Sequence, residues 1–194
     1  MVRKVRRCTY RREKIRFLPL HLRVHGKEDI NMVTKDIFGE NYSGFTNNHR
    51  SASRGIIVKN GSVLLSHEKA IGQFMIPGGG FEDGETAEQC CIREIAEETG
   101  ITAEPEECFL VINEYYEDWC YKSYYFTCKE VGQCPRALTE REKEVCAEPE
   151  WVPLAEALKE FSRHAEYDGI NEERRGIYQR EYMALCEYEK LRGR

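Results

Sequence analysis

Three glutamates, Glu94, Glu97 and Glu98, lie in a stretch whose apolar residues have helical periodicity. At about 100° per residue the three carboxylates share one arc of the helix, and Cys91 and Ile95 lie on an arc that can face a core. Like charges at this spacing destabilise a helix and raise one another's pKa. Because Mg²⁺ and Mn²⁺ prefer oxygen ligands and would remove the repulsion, the pattern indicates a site for either ion. The alternative is a solvated acidic face.

A run of three glycines, Gly78, Gly79 and Gly80, comes shortly before this helix. Since glycine has no side chain, we expect a tight turn whose backbone groups approach a ligand closely. The helix N-terminus that follows favours anionic groups nearby. Glu85 lies between the glycines and the helix, and it can reach Arg93 to hold turn and helix in register. The segment would then present a backbone carbonyl and several carboxylates to one point.

The helix that carries the glutamates has a start and a stop signal. Thr86 and Gln89 have the spacing of a capping box, in which side chains and backbone amides bond reciprocally. Gly100 follows, and a glycine in the left-handed conformation commonly ends a helix. We therefore expect a helix over residues 86–99.

Short runs of β-branched and aromatic residues on both sides of this helix predict strands. The predicted strands cover residues 55–59, 62–66, 73–77, 108–112, 123–127 and 150–152. Asn60 and Gly61 favour a type I′ turn, and hence a hairpin, between the first two strands. A second hairpin is expected to turn at Glu117 and Asp118.

These elements predict an α/β fold with a mixed sheet. Two further helices are expected, at 154–161 and at about 171–192, the second capped by Asn171. The chain then divides into a basic extension and entry segment at 1–50, a body at 51–162 and a C-terminal helix at 163–194 that packs on the body.

The nine cysteines of this 194-residue chain are odd in number and include no CxxC pair. With no secretory signal in the sequence, this usage predicts free thiols in a reducing cytoplasm rather than disulfides. A zinc site lacks the close ligand pairs that it usually needs. No apolar run approaches the ~20 residues of a membrane-spanning helix, so no membrane partner is expected.

Charge is unevenly distributed along the chain. The net charge is −5, but residues 1–30 alone have a net charge of +7, which leaves −12 for residues 31–194. The basic arm is compatible with contact to nucleic acid or acidic lipid, with a targeting peptide, or with a solvated tail ahead of a second start at Met32. The acidic body argues against a chain devoted to binding nucleic acid.

The glycine and glutamate segment resembles the Nudix box of the Nudix hydrolases at every fixed position. The match runs Gly79-x5-Glu85-x7-Arg93-Glu94-Ile95-x-Glu97-Glu98-x-Gly100-Ile101 and covers 23 residues. The hairpin before it and the Trp151–Leu154 stretch after it look like the rest of such a domain. Residues 1–50 and 171–194 lie outside what the box supports.

The resemblance implies an α/β/α sandwich that uses Mg²⁺ or Mn²⁺ to hydrolyse the diphosphate linkage of a nucleoside diphosphate derivative. The implied metal ligands are oxygen donors of the box, namely the carboxylates of Glu94, Glu97 and Glu98 and the carbonyl of Gly79. One of the three glutamates could instead act as the base, since the base varies within the family. Arg93 would orient the glutamates with Glu85 as its partner, Gly78 and Gly80 would support the turn, and Gly100 would end the helix.

The sequence indicates the substrate less clearly than it indicates the metal site. ADP-ribose hydrolases of this family often carry a proline about fifteen residues past the box, where this chain has Tyr116 beside Tyr115. This weakens the ADP-ribose interpretation, and a tyrosine here resembles the dinucleoside-polyphosphate group. Either tyrosine could stack a base or fill the core. In the acidic loop at 138–144, Glu142 or Glu144 could lend the metals another carboxylate, with a solvated loop as the alternative.

Three function classes follow from the sequence. The leading one is a metal-dependent pyrophosphohydrolase acting on a small nucleotide. The second is an RNA 5′-end pyrophosphohydrolase that uses the basic arm at 1–31. The third is a non-catalytic nucleotide-sensing module, which would need a partner domain. The aromatic hairpin at 115–126 is a candidate surface for a homodimer.

Overall fold

Two β-sheets lie at the centre of the computed structural model, which describes residues 32–193. The strands are, in chain order, β1 (Val33–Phe38), β2 (Asn48–Ile56), β3 (Val58–Lys59), β4 (Ser62–Glu68), β5 (Gln73–Met75), β6 (Gly78–Gly80), β7 (Ile101–Tyr116), β8 (Trp119–Gln133) and β9 (Ala147–Pro153). The helices are α1 (Ala87–Thr99), α2 (Glu140–Glu144), α3 (Leu154–Phe161) and α4 (Glu172–Arg192). The basic arm at 1–31 lies outside the described residues.

Within residues 32–193 the larger sheet has five strands in the order β1-β7-β8-β2-β6. The pairs β1/β7 and β2/β8 are parallel, and the pairs β7/β8 and β2/β6 are antiparallel. In the smaller sheet β4 pairs with β3, β5 and β9, all antiparallel. The prediction of a mixed sheet is therefore confirmed.

The helices cover the sheets from two sides. On one side α1 packs on β2 and β7 through an apolar cluster that includes Cys91, Ile95 and Phe126. On the other side α3 and α4 enclose a larger cluster that includes Leu110 and Tyr178. The α/β/α arrangement with a C-terminal helix is thus as predicted. Among the helices within residues 32–193, none is long and apolar enough to cross a membrane.

The predicted turns and caps are present. The backbone amide of Gln89 donates to Thr86 Oγ1 at 3.2 Å, and that of Thr86 donates to Gln89 Oε1 at 2.9 Å. Asn60 and Gly61 both have positive φ, as a type I′ turn requires. The amide of Arg174 donates to Asn171 Oδ1 at 3.0 Å, which caps α4.

The structure differs from the sequence-based expectation at the glycine run. Gly78–Gly80 is not a tight turn directly before α1 but the edge strand β6, which pairs with residues 52–54 of β2. A loop over residues 81–86 then leads into α1. The body boundary predicted at residue 51 falls inside β2, and β1 precedes it in the same sheet.

Cysteine thiols contribute to the packing around α1. Within the described residues, Cys90, Cys91, Cys120, Cys128, Cys134, Cys146 and Cys186 are free thiols, as predicted. Cys91 and Cys128 face each other with their Sγ atoms 3.7 Å apart in the α1 cluster. They fill space there as small apolar side chains do.

Replacing Gly100 by alanine is expected to destabilise the protein by about 1–2 kcal/mol. Gly100 ends α1 with φ +74°, and an added Cβ would lie 2.9 Å from the Cys134 carbonyl oxygen. Urea unfolding should show a lower midpoint with an unchanged slope. Gly132→Ala is the matched control, because its Cβ would meet Thr102 only at an ordinary 3.7 Å. Equal midpoints for the two variants would contradict the assignment.

Candidate active site

Arg93 is the organising side chain of the site. Its Nε and Nη2 donate to the two carboxylate oxygens of Glu85 at 2.6 and 2.9 Å, which is the predicted ion pair. Its Nη1 donates to Glu94 Oε1 at 2.9 Å and to Glu97 Oε2 at 3.1 Å. The hydrogen bonds from Arg93 lower the pKa of Glu85 to about 2. Arg93 therefore ties the loop before α1 to the carboxylates on α1.

The glycine strand β6 is held through its carbonyl groups. Each carbonyl accepts a hydrogen bond from a different side chain: Gly78 from Arg54 at 3.2 Å, Gly79 from Cys90 at 3.4 Å and Gly80 from Arg93 at 2.9 Å. Burial raises the pKa of the Cys90 thiol to about 11, so this thiol keeps the proton that it donates. Gly78 has φ +147°, and a Cβ there would overlap the Ser53 carbonyl oxygen. These contacts fix where the Gly79 carbonyl points.

The three predicted carboxylates lie around this strand in different environments. Glu94 lies against Gly79, where an added Cβ would be 2.6 Å from its carboxylate atoms. Glu98 is buried on α1, and its Oε2 has no hydrogen-bond partner within residues 32–193. Desolvation raises the pKa of Glu98 to about 8, and it also raises the pKa of Glu94. Glu97 is the most exposed, with 39% of its side chain accessible.

These residues fit a hard divalent cation. As the side chains stand, no three His, Cys, Asp or Glu residues of the described part of the chain converge as ligands of one ion. Arg93, however, takes only one oxygen each of Glu94 and Glu97, and Glu98 keeps a buried oxygen without a partner. A buried carboxylate left in this state is costly, and a cation would offset that cost. Carboxylates with a backbone carbonyl are the donor set that Mg²⁺ and Mn²⁺ accept.

A fourth carboxylate, that of Glu142 on α2, acts electrostatically on this cluster. The negative charge of Glu142 raises the pKa of both Glu94 and Glu98, whereas Glu144 is exposed. Glu142 is oriented by a capping box in which it accepts from the Thr139 amide at 2.7 Å. Thr139 and Glu142 have the capping-box spacing that Thr86 and Gln89 have at the start of α1, and this spacing could have distinguished Glu142 from Glu144 in the sequence.

Arg141, next to Glu142, anchors α2 to the smaller sheet. Its Nη1 donates at 2.6 Å to Glu68, whose carboxylate is buried in β4. This ion pair fixes the position of the helix that carries Glu142.

A cavity of about 640 Å³ adjoins the glycine strand. Its lining residues come from β2, β5, β6, β7, β8, α2 and α4, and Gly79 and Gly80 form part of its border. The lining residues are Arg50, Ala52, Arg54, Met75, Gly79, Gly80, Glu114, Tyr116, Tyr121, Ser123, Arg141, Glu172, Glu173, Gly176, Ile177 and Arg180. Apart from Gly79, Gly80 and Tyr116, sequence analysis did not identify these residues as part of the site.

The two candidate tyrosines have different surroundings because successive residues of a strand face opposite sides of the sheet. Tyr116 lines the cavity, and its hydroxyl lies against Gly176 of α4. Tyr115 is outside the cavity and stacks on Phe38 of β1 with ring centroids 4.9 Å apart. Tyr116 is therefore the one placed where it could contact a substrate.

Helix α4 is joined to the cavity floor by a buried charged network. Arg180 pairs with Glu114 of β7 at 3.0 Å and with Glu181 at 2.7 Å. Glu181 also accepts from the Tyr125 hydroxyl at 3.1 Å and lies 3.8 Å from Arg54. Through Arg54, which holds the carbonyl of Gly78, α4 is linked to the glycine strand.

Comparison with known proteins agrees with this geometry. The family model described as NUDIX domain matches residues 49–172. Among curated proteins, Nudix hydrolase 21, chloroplastic, from Arabidopsis thaliana is 31% identical over 102 residues, which is 50% of this chain and 48% of that protein. The chain thus spans about half the length of this relative.

Solved structures with a related fold were also found. A NUDIX hydrolase from Nitrosomonas europaea is 24% identical, with a TM-score of 0.47, over 56% of this chain and 75% of that one. An ADP-ribose pyrophosphatase from Streptococcus suis is 14% identical, with a TM-score of 0.39, over 55% of this chain and 75% of that one.

Proposed function

Because the chain belongs to the Nudix hydrolase family, we propose that it is a metal-dependent hydrolase that cleaves the diphosphate linkage of a nucleoside diphosphate derivative. The observation that carries the proposal is the arrangement of Glu94, Glu97 and Glu98 around the glycine strand, with a buried, unpartnered oxygen on Glu98. Such an arrangement is stabilised by cation binding, and the adjoining cavity can hold the rest of a small nucleotide.

The residues of the site have separate roles in this reaction. Glu94, Glu97, Glu98 and the Gly79 carbonyl would hold Mg²⁺ or Mn²⁺. Such an ion, when bound, offsets phosphoryl charge and lowers the pKa of a water molecule. Arg93 keeps Glu94 and Glu97 oriented through its two hydrogen bonds.

A carboxylate of the cluster would accept the proton of the attacking water, an effect usually worth 10²–10⁴ in rate. Glu97 is the most accessible of the three box glutamates. The negative charge of Glu142 on α2 also acts on this cluster, since it raises the pKa of both Glu94 and Glu98. We therefore propose that the general base is one of these carboxylates. On α2, Glu142 is a better candidate for this role than Glu144, which is exposed.

The cavity is the proposed site of the nucleoside part of the substrate. Its surface combines aromatic and apolar side chains, Tyr116, Tyr121 and Ile177, with the hydroxyl of Ser123. Aromatic rings suit a base, and polar groups suit a ribose.

The test is a substrate panel of nucleotides, dinucleotides and nucleotide sugars, assayed with Mg²⁺ and with Mn²⁺. We expect hydrolysis of at least one nucleoside diphosphate derivative into two phosphorylated products, and loss of this activity in EDTA. Nucleotide binding without any hydrolysis would favour the sensing alternative, and hydrolysis that persists in EDTA would contradict the metal assignment.

Two further expectations stay predictions. Location in the cytoplasm is predicted from the sequence features given above, and a homodimer is predicted from the aromatic hairpin. In the structure, that hairpin carries Trp119 stacked on Tyr121 with ring centroids 5.6 Å apart. The RNA alternative depends on residues 1–31, which lie outside the described part of the chain.

A further inference from the structure

Arg50 differs from the other arginines of the cavity. Of the four arginines within residues 32–193 that line it, three are engaged: Arg54 with the carbonyls of Ile76 and Gly78, Arg141 with Glu68, and Arg180 with Glu114 and Glu181. The Arg50 side chain is exposed and has no hydrogen bond or ion pair with any residue in the same range. Its five N–H donors are therefore available to a ligand.

The guanidinium of Arg50 lies on the backbone of the glycine strand. A Cβ added to Gly80 would be 2.9 Å from its Nη2 and 3.1 Å from its Nε. Arg50, Ala52 and Arg54 alternate along β2, so all three face the cavity, and Ala52 pairs directly with Gly80. The absence of a side chain at Gly80 is what allows Arg50 to reach this position.

The glycine strand separates the cavity from the carboxylates. Gly79 borders the cavity and also contacts Glu94. A molecule that extends from the cavity to the α1 carboxylates across this shared border would lie over β6 at Gly79 and Gly80. At this crossing a diphosphate meets the negative charge of the glutamates, and Arg50 is the available cation beside it.

We propose that Arg50 binds phosphoryl oxygens of the substrate's diphosphate where it crosses the glycine strand, a role that rests on the proposed pyrophosphohydrolase function. A planar guanidinium can bind two phosphoryl oxygens at once, which an ammonium group cannot match. Arg50 then sets the position of the diphosphate relative to Glu94, while Arg93 acts only on the protein's own groups.

The experiment compares R50Q and R50K with K129Q, which removes a positive charge from an exposed side chain elsewhere on the sheet. The probe is imidodiphosphate, a diphosphate with a hydrolysis-resistant bridge, titrated calorimetrically with Mg²⁺ present. We expect R50Q to weaken its binding about 10- to 100-fold, R50K to weaken it less, and K129Q to leave it unchanged. The KM for the best substrate of the panel should change in the same order.

A double-mutant cycle with Gly80→Ala tests the geometry separately. An alanine at position 80 should displace the Arg50 guanidinium, so G80A should weaken binding in the wild-type background and add little to R50Q. Additive effects would overturn the contact.

The outcomes distinguish this inference from the proposed function. If the wild-type protein hydrolyses a diphosphate substrate but R50Q keeps its KM and its affinity for imidodiphosphate, the role of Arg50 is wrong and the function stands. If the wild-type protein neither binds imidodiphosphate nor hydrolyses any substrate, the proposed function itself fails.

Discussion

Replacing Glu97 by glutamine is expected to lower kcat by at least about 100-fold and to leave the melting temperature within a few degrees of wild type. The Glu97 side chain is 39% accessible and contacts Arg93 Nη1 at 3.1 Å, a hydrogen bond that a glutamine oxygen can also accept. The substitution removes the charge and the basicity and keeps the shape. Steady-state kinetics with Mg²⁺ and a thermal melt measure the two effects.

The control for Glu97→Gln is Glu88→Gln, which removes the same charge from the first turn of the same helix. It should retain nearly full turnover, because within residues 32–193 Glu88 is not a hydrogen-bond or ion-pair partner of Arg93 and is not a neighbour of the glycine strand. Wild-type turnover by Glu97→Gln on a confirmed substrate would refute the role given to this carboxylate.

Replacing Gly79 by alanine is expected to remove most activity while the protein stays folded. The new Cβ would lie 2.6 Å from Cδ and both oxygens of Glu94, so that carboxylate must move. The displaced atoms are the end of a flexible side chain, so we expect a fall in the melting temperature of only a few degrees. A shift of about 1 Å in a catalytic group can cost 100-fold in rate, and we expect a loss of that order in kcat/KM.

Metal binding gives a second measurement for Gly79→Ala. Mn²⁺ titration followed by electron paramagnetic resonance should show weaker binding than in the wild-type protein. Gly132→Ala again serves as the control, because its Cβ would make only ordinary contacts. Unchanged Mn²⁺ affinity and activity in Gly79→Ala would mean that Glu94 does not act beside the Gly79 carbonyl.

The elements that sequence analysis located correctly have local signals. Helix α1 is defined by the capping box at Thr86 and by Gly100, and both signals lie within a few residues of the helix ends. The Asn60-Gly61 turn is equally local, because its backbone conformation is set by those two residues. The Glu85–Arg93 pair was predictable because the two residues are only eight positions apart, one just before α1 and the other within it.

The elements that sequence analysis missed depend on partners far along the chain. Gly78–Gly80 forms a strand because residues 52–54 of β2 pair with it, and a glycine run carries no strand propensity of its own. Likewise Arg50 carries no mark of a binding residue in the sequence. Arg50 comes close to Gly80 only because β2 pairs with β6 in the folded protein.

Helix α4 also shows what local signals leave out. Sequence analysis predicted the cap of α4 and its packing on the body. The spacing of apolar residues in α4 did not indicate that this helix forms a wall of the cavity. That role depends on contacts with β7 and β8, through Glu114 and Tyr125, more than fifty residues earlier in the chain.

The link from Glu181 through Arg54 to Gly78 bears on how this protein can be shortened. A fragment that ended at residue 172, the limit of the family match, would lack α4 and with it the anionic neighbour of Arg54. It would also uncover the apolar surface on which Tyr178 and Leu185 now rest. The folded unit that holds the candidate site therefore extends about twenty residues beyond the family match, and truncation at that limit would remove contacts on the cavity side of the glycine strand.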